Sequence, residues 1–401
     1  MITRSLLEHI FLAASIERWN DHPHPAVFTE LGKQAHKMVI AWVLGKSQED
    51  ASGRELDWIA LIEGGIFEFL HRVVVTDIRP PVFHKVMQNS ETRSLLNDWV
   101  FKKLERDLGS LSVPFAERFR EYHRSEAAST ERGILKAAHI LATKWEFDFI
   151  IHWSGGMYGI EQTKKEIESQ TENVLVPIAR EMLLRPTSSK LWGFISLVGQ
   201  LTFQKRWAQT PRIPQTSVLG HLLFVAIVSY MVSMKIGAGP RRSYNNFFGG
   251  LFHDLPEVLT RDIVSPVKTS VEGLDELIHR YEREAMDDRI FPLIPKHWGD
   301  ELRYYTEEDF TNKTWQEDRV DPLQRHKGDI PRDLWGDEFN PLDGHMLEVC
   351  DKLAAYIEAS VSIQMGIRPQ PLEDGKRRLY DRYSQTVLYG SPIRQLFDLF
   401  R

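Results

Sequence analysis

The chain contains two stretches that follow one pattern, and this repeat limits the possible folds more than any other feature of the sequence. GGIFEFLHRVVVTDIRPPVF occupies 64–83, and GGLFHDLPEVLTRDIVSPVK occupies 249–268. A shift of 185 residues superimposes the two glycine pairs and matches Asp77 with Asp262. Further matches follow in the same order along the chain: Arg18-Trp19 with Arg206-Trp207, His36 with His221, and His139 with Asp351. We therefore predict a tandem duplication of one unit of about 200 residues.

The two copies define the predicted domains, which are residues 1–185 and residues 186–401, joined near LLRPTSSK. The Arg-Trp pairs match after a slip of three residues. The match of His139 with Asp351 needs 27 additional residues in the second copy. We place this insertion at about 291–340, in a stretch rich in Trp, Tyr and Pro.

Hydrophobic periodicity indicates helices in both copies. Apolar residues recur at three- and four-residue spacing in five segments: 5–19, 33–45, 221–234, 273–286 and 344–364. Strand-like alternation is scarce, and the best candidate, RVVVTD at 72–77, is short. The predicted fold is therefore all-α, with two related helical bundles.

Composition and charge argue against several classes of function. The formal net charge is −6, so we expect no general basic surface for nucleic acid or an anionic membrane. We interpret the apolar run at 218–239, which contains Ser229 and Lys235, as a buried core helix rather than a membrane span. Cys350 is the single cysteine, which rules out an intramolecular disulfide and a thiolate metal cluster. The simplest expected location is the reducing cytoplasm.

Four residues of the second copy have the chemistry of a divalent-metal site: His221, His253, Asp254 and Asp351. Two imidazoles and two carboxylates suit six-coordinate Mn²⁺, Co²⁺, Ni²⁺ or Fe²⁺, and Mg²⁺ is a further candidate. Zinc more often takes four ligands, but it stays among the candidates. These ligands would come from separate apolar helices, where an unpaired carboxylate is costly unless it binds something.

The motifs around these residues resemble those of a known family. HDLPEVLTRDIVSPVK, KRWAQTPRIPQTSVLGH and CDKLAAYIEA are similar to the metal-binding segments of the HD-domain metal-dependent phosphohydrolase superfamily. Within it they most resemble the bacterial HD-domain 5'-deoxynucleotidases, which place an Arg-Trp pair fifteen residues before the first ligand, as Arg206 precedes His221 here. The resemblance covers about 191–364 apart from the insertion. It implies that residues 186–401 form a catalytic HD domain.

The resemblance implies a role for each matching residue. The implied metal ligands are His221, His253, Asp254 and Asp351. The implied catalytic residues are Glu257, a general acid/base on the helical face of Asp254, and Asp262, which would hold a water or the ribose. The implied substrate contacts are Arg206 and Lys268 with the phosphate and Trp207 with the sugar.

Several of these residues also have a purely structural interpretation. His253-Asp254 taken alone is typical of a capping or surface pair, and Glu257 could serve as a salt-bridge partner. The first copy keeps counterparts of Asp262 and of the Arg-Trp pair, which favours a structural part for them. An arginine stacked on a tryptophan is itself a packing unit.

The first copy has lost most of the ligand set. Glu68-Phe69 replace the His-Asp pair, Arg72 replaces Glu257, and His139 replaces the last aspartate, while His36 alone remains. We therefore interpret residues 1–185 as a degenerate domain that takes the place of a second subunit. The expected assembly is a monomer with an internal pseudo-dimer, or a homodimer.

The leading hypothesis is a metal-dependent phosphohydrolase that uses metal-activated water to cleave the phosphomonoester of nucleoside 5'-monophosphates, with deoxynucleotides preferred. Its expected partner is a small-molecule nucleotide, with no nucleic acid and no membrane. One alternative is hydrolysis of a larger nucleotide, either a dNTP or an alarmone. The other is a regulatory protein that senses a nucleotide without hydrolysing it.

Overall fold

The computed structural model describes residues 1–401 except 25, 77, 79, 173, 175, 185–187, 262–270, 318 and 324–327. The described chain is predominantly helical, and its strands form three antiparallel two-stranded pairs. The prediction of an all-α fold is confirmed.

The helices of the N-terminal half are α1 (Arg4–Leu12), α2 (Glu30–Ser52), α3 (Trp58–Val75), α4 (Pro80–Gln88), α5 (Ser90–Leu111), α6 (Val113–Arg124), α7 (Thr130–Ser154), α8 (Ile160–Glu172) and α9 (Pro177–Leu184). Those of the C-terminal half are α10 (Lys190–Gly199), α11 (Val218–Ile236), α12 (Pro240–Phe252), α13 (Glu257–Thr260), α14 (Leu274–Arg289), α15 (Lys296–Thr306), α16 (Gly344–Gln364), α17 (Gln370–Tyr383) and α18 (Arg394–Asp398). The strand pairs are β1 (Glu17–Arg18) with β2 (Phe28–Thr29), β3 (Lys313–Gln316) with β4 (Arg319–Pro322), and β5 (Val387–Leu388) with β6 (Ser391–Pro392).

Two buried helices, α2 and α11, pack against each other at the centre of the molecule. Each begins with a hydroxyl cap, because Thr29 accepts from the Gly32 amide and Ser217 accepts from the Gly220 amide. The larger of two hydrophobic clusters runs through both halves of the described chain, and the smaller one surrounds Phe28 and Trp145. Helix α11 is long and apolar enough to cross a membrane, but 83% of its most apolar window is buried, which makes it weak evidence for a span.

Two local predictions from the sequence are wrong. The segment RVVVTD does not form a strand, because its first four residues continue α3 to Val75. The helix expected at 5–19 ends at Leu12 and gives way to a 3-10 turn and then to β1. Both segments pack on helical neighbours, and tertiary packing outweighs short-range propensity there.

The expected match of His36 with His221 is also wrong by three residues. The caps of α2 and α11 align Thr29 with Ser217, which puts Lys33 at the position of His221. The first half has three more residues between this position and its glycine pair, so a single shift of 185 residues cannot fit both helices. His36 instead donates from Nε2 to the carbonyl of Ile195 at 2.8 Å.

A buried ion pair joins the helices that carry the predicted metal ligands. Arg242 of α12 makes two hydrogen bonds, of 2.7 and 2.6 Å, to Asp343, which precedes α16, and both side chains are fully buried. Asn246 donates to the same carboxylate at 2.7 Å, and Tyr389 donates to it as well. A planar guanidinium that binds one carboxylate through two of its nitrogens fixes the separation of α12 and α16.

Replacing Asp343 with alanine should lower the free energy of unfolding by about 3–5 kcal/mol, because it leaves the buried Arg242 guanidinium uncompensated. Urea unfolding followed by circular dichroism measures this change. The control is Asp374→Ala, which breaks the surface pair of Asp374 with Arg377 and should cost about 0–1 kcal/mol. Equal midpoints for the two variants would show that the buried pair does not set the stability.

The glycine pair of α12 permits a close helix contact. A Cβ on Gly250 would lie 2.9 Å from Cα of Ala226 on α11. The neighbouring atom belongs to the backbone, which cannot move aside as the end of a flexible side chain can. Gly250→Ala should therefore lower the free energy of unfolding by about 1–3 kcal/mol. Gly133→Ala is the matched control in α7, where nothing lies within 4 Å, and it should be neutral or stabilising. Unchanged thermal unfolding of Gly250→Ala would contradict the close contact.

Candidate metal centre

Three helices bring the predicted ligands together. His221 lies in the first turns of α11, His253 caps the C-terminal end of α12, and Asp351 lies in the third turn of α16. Donor atoms of His221, His253 and Asp254 all lie within 4.8 Å of one another. Two imidazoles and a carboxylate at this spacing can share one divalent ion.

The orientation of His253 suits a ligand. Its Nδ1 lies 2.9 Å from the Gly250 carbonyl, which can only accept, so Nδ1 carries the proton. Nε2 is buried and faces the other donor atoms of the group. It lies 3.3 Å from Oδ2 of Asp254. A backbone carbonyl that fixes the tautomer is a common feature of metal-binding histidines.

The second imidazole lies between two carboxylates. Nε2 of His221 is 2.8 Å from Oδ1 of Asp351, and its Nδ1 is 3.6 Å from Oε1 of Glu358. The other oxygen of Asp351 accepts a hydrogen bond from Lys352 at 2.6 Å. Asp351, the fourth predicted ligand, thus adjoins the set.

Glu358 was not predicted from the sequence, although it organises one side of the centre. Its carboxylate accepts from Nε1 of Trp207 at 2.9 Å and from the Thr216 hydroxyl at 2.6 Å. Burial alone would raise the pKa of Glu358, but Arg212 and His221 lower it below its usual value. Glu358 follows Asp351 by seven residues, two helical turns, and this spacing could have identified it.

Arg206 lies between the two carboxylates of the centre. Its guanidinium nitrogens are 3.7 Å from Oδ2 of Asp254 and 3.7 Å from Oδ1 of Asp351. The structure therefore brings Arg206 to the ligand set, as expected of a phosphate-binding residue. Trp207, its neighbour, is held by Glu358 and has a left-handed backbone with φ of 55°.

Neighbouring charges and burial shift the pKa values of several residues at the centre. Burial opposes charge on Asp254, but His253 and Arg206 lower the pKa of this carboxyl well below its usual value. Burial likewise opposes charge on His253, yet the Asp254 and Asp351 carboxylates raise its pKa to about 9. Asp309 was not predicted from the sequence. Burial raises its pKa to about 6, and the charges of His253 and Asp254 also act on it.

Glu257 begins a new helix rather than continuing the helix that ends at the His-Asp pair. Helix α12 ends at Phe252, a turn through Pro256 follows, and α13 begins at Glu257. The Glu257 amide donates to the Asp254 carbonyl at 3.1 Å, and its side chain is buried. Asp262 and Lys268 lie outside the described residues, so their roles stay predictions, as does that of Asp77.

A cleft of about 470 Å³ lies beside Pro256 and Asp309, and none of the four predicted ligands is among its lining residues. Pro256 and Asp309 line it on the side of the metal ligands, and α14 lines the other side with charged residues and Met286. Its lining includes five carboxylates and two arginines. The cleft is of the size that small ligands occupy.

Comparison with known proteins supports the chemistry of this region. Residues 198–379 match the family model of the HD domain. A segment of 75 residues is 33% identical to the dATP triphosphohydrolase of Acinetobacter phage SH-Ab 15497, which amounts to 19% of this chain and 37% of that protein. No solved structure matches the chain. The findings support the HD phosphohydrolase superfamily and a metal-dependent site, and they leave the metal unidentified.

We expect the chain to bind one divalent ion, with affinity that falls at least about 100-fold in Asp254→Ala because a charged ligand is lost. Glu358→Gln should weaken binding by about 10–100-fold, since this carboxylate faces the far nitrogen of His221. Titration with Co²⁺ followed by its visible absorbance measures both. Asp374→Ala is the control, and equal affinity for all four proteins would contradict the site.

Proposed function

We propose that the protein is a metal-dependent hydrolase that releases phosphate from nucleoside 5'-monophosphates, with deoxynucleotides preferred. The observation that carries the proposal is the grouping of His221, His253 and Asp254 within 4.8 Å inside a segment that matches the HD domain. This pairing of geometry and family favours a hydrolase over a protein that only senses nucleotides.

In the proposed centre, His221, His253, Asp254 and Asp351 hold the ion. A divalent ion bound there supplies a lowered pKa for water and polarisation of a phosphoryl oxygen. Nδ1 of His253 keeps its proton and donates it in a hydrogen bond to the Gly250 carbonyl, so Nε2 is presented for binding. A proton on Nδ1 of His221 would likewise face Glu358.

The substrate phosphate is proposed to bind Arg206, whose planar fork already faces two carboxylates of the centre. Its position beside Asp254 and Asp351 would hold the phosphate next to the ligand set. Glu257 is proposed to move the proton that the leaving 5'-oxygen requires, because its buried carboxyl begins the helix after the His-Asp pair.

The nucleoside is proposed to occupy the cleft beside the centre. Five carboxylates against two arginines disfavour a long polyphosphate there and suit an uncharged base and sugar. Trp207 does not line this cleft; as the neighbour of Arg206 it is proposed to contact the sugar next to the phosphate, since Glu358 holds its indole and the ring packs on Gly375. A fixed wall at that place would select against a 2'-hydroxyl.

Hydrolysis of a deoxynucleoside triphosphate is the second candidate. It is favoured by the similarity to the phage dATP triphosphohydrolase, which spans just over a third of that protein. The two candidates differ in their products, because a monophosphatase releases phosphate and a triphosphohydrolase releases triphosphate. Alarmone hydrolysis has no comparable observation in its favour.

We also propose that the two halves arose by duplication. Trp19 donates to Glu146 at 2.9 Å as Trp207 donates to Glu358 at 2.9 Å. Both tryptophans have a left-handed backbone, with φ of 58° and 55°. Non-glycine residues are uncommon in this region, so the shared geometry supports descent from one unit. Glu146 follows His139 by seven residues, as Glu358 follows Asp351.

The test is product analysis with ribo- and deoxynucleoside mono- and triphosphates, each with Mn²⁺, Co²⁺, Ni²⁺, Mg²⁺ or EDTA. We expect phosphate from deoxynucleoside monophosphates, dependence on metal, and a loss of at least about 1,000-fold in kcat for Asp254→Ala. Glu257→Gln should lower kcat by about 100-fold or more with little change in metal affinity. Trp207→Ala should lower the ratio of deoxy to ribo activity.

The control variant is again Asp374→Ala, which should hydrolyse nucleotides at the wild-type rate. Triphosphate as the product would transfer the proposal to the second candidate. Nucleotide binding without turnover in any metal, by a protein that binds Co²⁺, would identify a sensor and refute the hydrolase.

A further inference from the structure

The N-terminal half has a second cluster of buried charged residues where the C-terminal half has its metal centre. Lys33 occupies the position of His221 on α2, and its ammonium donates to Nδ1 of His139 on α7. The corresponding contact in the C-terminal half joins His221 to Asp351. A cation and a neutral imidazole thus replace an imidazole and a carboxylate.

The other members of this cluster are also largely cationic. Arg18 pairs with Glu146 at 2.9 Å and with Glu30 at 3.0 Å. Lys37 pairs with Glu68, and Arg72 lies 3.7 Å from Glu30. The cluster therefore holds four basic side chains and three carboxylates, counted among the described residues.

Lys33 is the basic residue of the cluster that has no carboxylate partner. Its side chain is buried, with 2% exposed, and none of the described carboxylates lies within ion-pair distance of it. Burial, and then the charge of Arg18, lower the pKa of Lys33 well below its usual value, so an anion bound beside Lys33 would stabilise its ammonium form. In the part of the chain that the structure describes, His139 supplies its hydrogen-bond acceptor.

A small ligand can reach the cluster from solvent. The side chain of His139 is exposed, and the side chains of Glu68 and Arg72 are 33% and 20% exposed. Loss of bulk hydration, and then the charges of Lys33 and Lys37, lower the pKa of His139 well below its usual value. The imidazole is thus neutral and can accept from Lys33 while an anion binds beside them.

We propose that this cluster is an anion site that binds a phosphoryl group, either inorganic phosphate or the phosphate of a nucleotide, through Lys33, Arg18 and Arg72. The site binds without a metal, because a lysine stands where the first imidazole ligand would be and Glu68 stands where the His-Asp pair begins. It therefore holds its ligand without hydrolysis. This site is separate from the proposed hydrolytic centre and does not depend on it.

Isothermal titration of the full chain in EDTA tests the proposal, with inorganic phosphate, dAMP and dATP as separate probes. We expect one site, weakened at least tenfold in Lys33→Met and in Arg72→Gln. The matched control is Lys46→Met, which removes another buried lysine of α2 that pairs with Glu301 at 2.6 Å, outside the cluster. Circular dichroism verifies folding, and if Lys33→Met does not fold, the partly exposed Arg72 decides.

The outcomes separate the two sites. Equal affinity for phosphate and dAMP would identify the phosphoryl group as the whole ligand, and tighter nucleotide binding would identify a nucleotide. Absence of binding in EDTA, or binding that Lys33→Met and Arg72→Gln leave unchanged, would overturn the proposal. Binding lost in Arg206→Gln but kept in Lys33→Met would assign the anion to the C-terminal half and refute the second site. None of these results depends on turnover, so failure of the hydrolase leaves this test intact.

Discussion

The candidate centre depends on the buried pair of Arg242 and Asp343. Helix α12 ends one residue before the His253-Asp254 pair, and α16, which carries Asp351, begins directly after Asp343. Two charges with fully buried side chains must remain paired, because separating them in a medium of low dielectric is costly. Asn246 and Tyr389 satisfy the remaining acceptor positions of the carboxylate. The ligands of α12 and α16 are therefore held at a fixed distance by the protein itself.

Glu358 plays the corresponding part on the side of α11. It joins His221, Trp207 and Thr216, so one carboxylate orients an imidazole ligand and the neighbour of Arg206. The ligands and the arginine are thereby positioned by the same helix, α16, through residues two turns apart. Such preorganisation would let the proposed centre bind an ion and a phosphate without rearranging its helices.

Sequence patterns located the ligands but not their surroundings. His253-Asp254 and Asp351 lie in motifs whose residue types and order resemble those of a family. An all-α fold was the only further assumption needed to expect these residues close together in space. Asp254 and Glu257 do not lie in one continuous helix, because a turn through Pro256 separates two helices, and a three-residue spacing cannot reveal this break. The sequence match paired His36 with His221 because both are histidines, whereas the helix N-caps align Lys33 with His221. Asp309 could not be found, since it reaches the centre from a segment some 55 residues away in the chain.

The two halves place opposite charge at equivalent positions of similar helices. At the C-terminal centre, Asp351 and Asp254 surround two imidazoles, and this acidic surrounding suits a divalent cation. At the N-terminal cluster, Lys33 and His139 stand in place of the imidazole and the carboxylate, so the cluster lacks an acidic ligand for a metal and its basic groups favour an anion. Arg18 and Arg206, by contrast, keep the same place beside a tryptophan and two carboxylates. In our proposals, exchange of the ion-binding residues around a retained arginine converts a site for metal and phosphate into a site for phosphate alone.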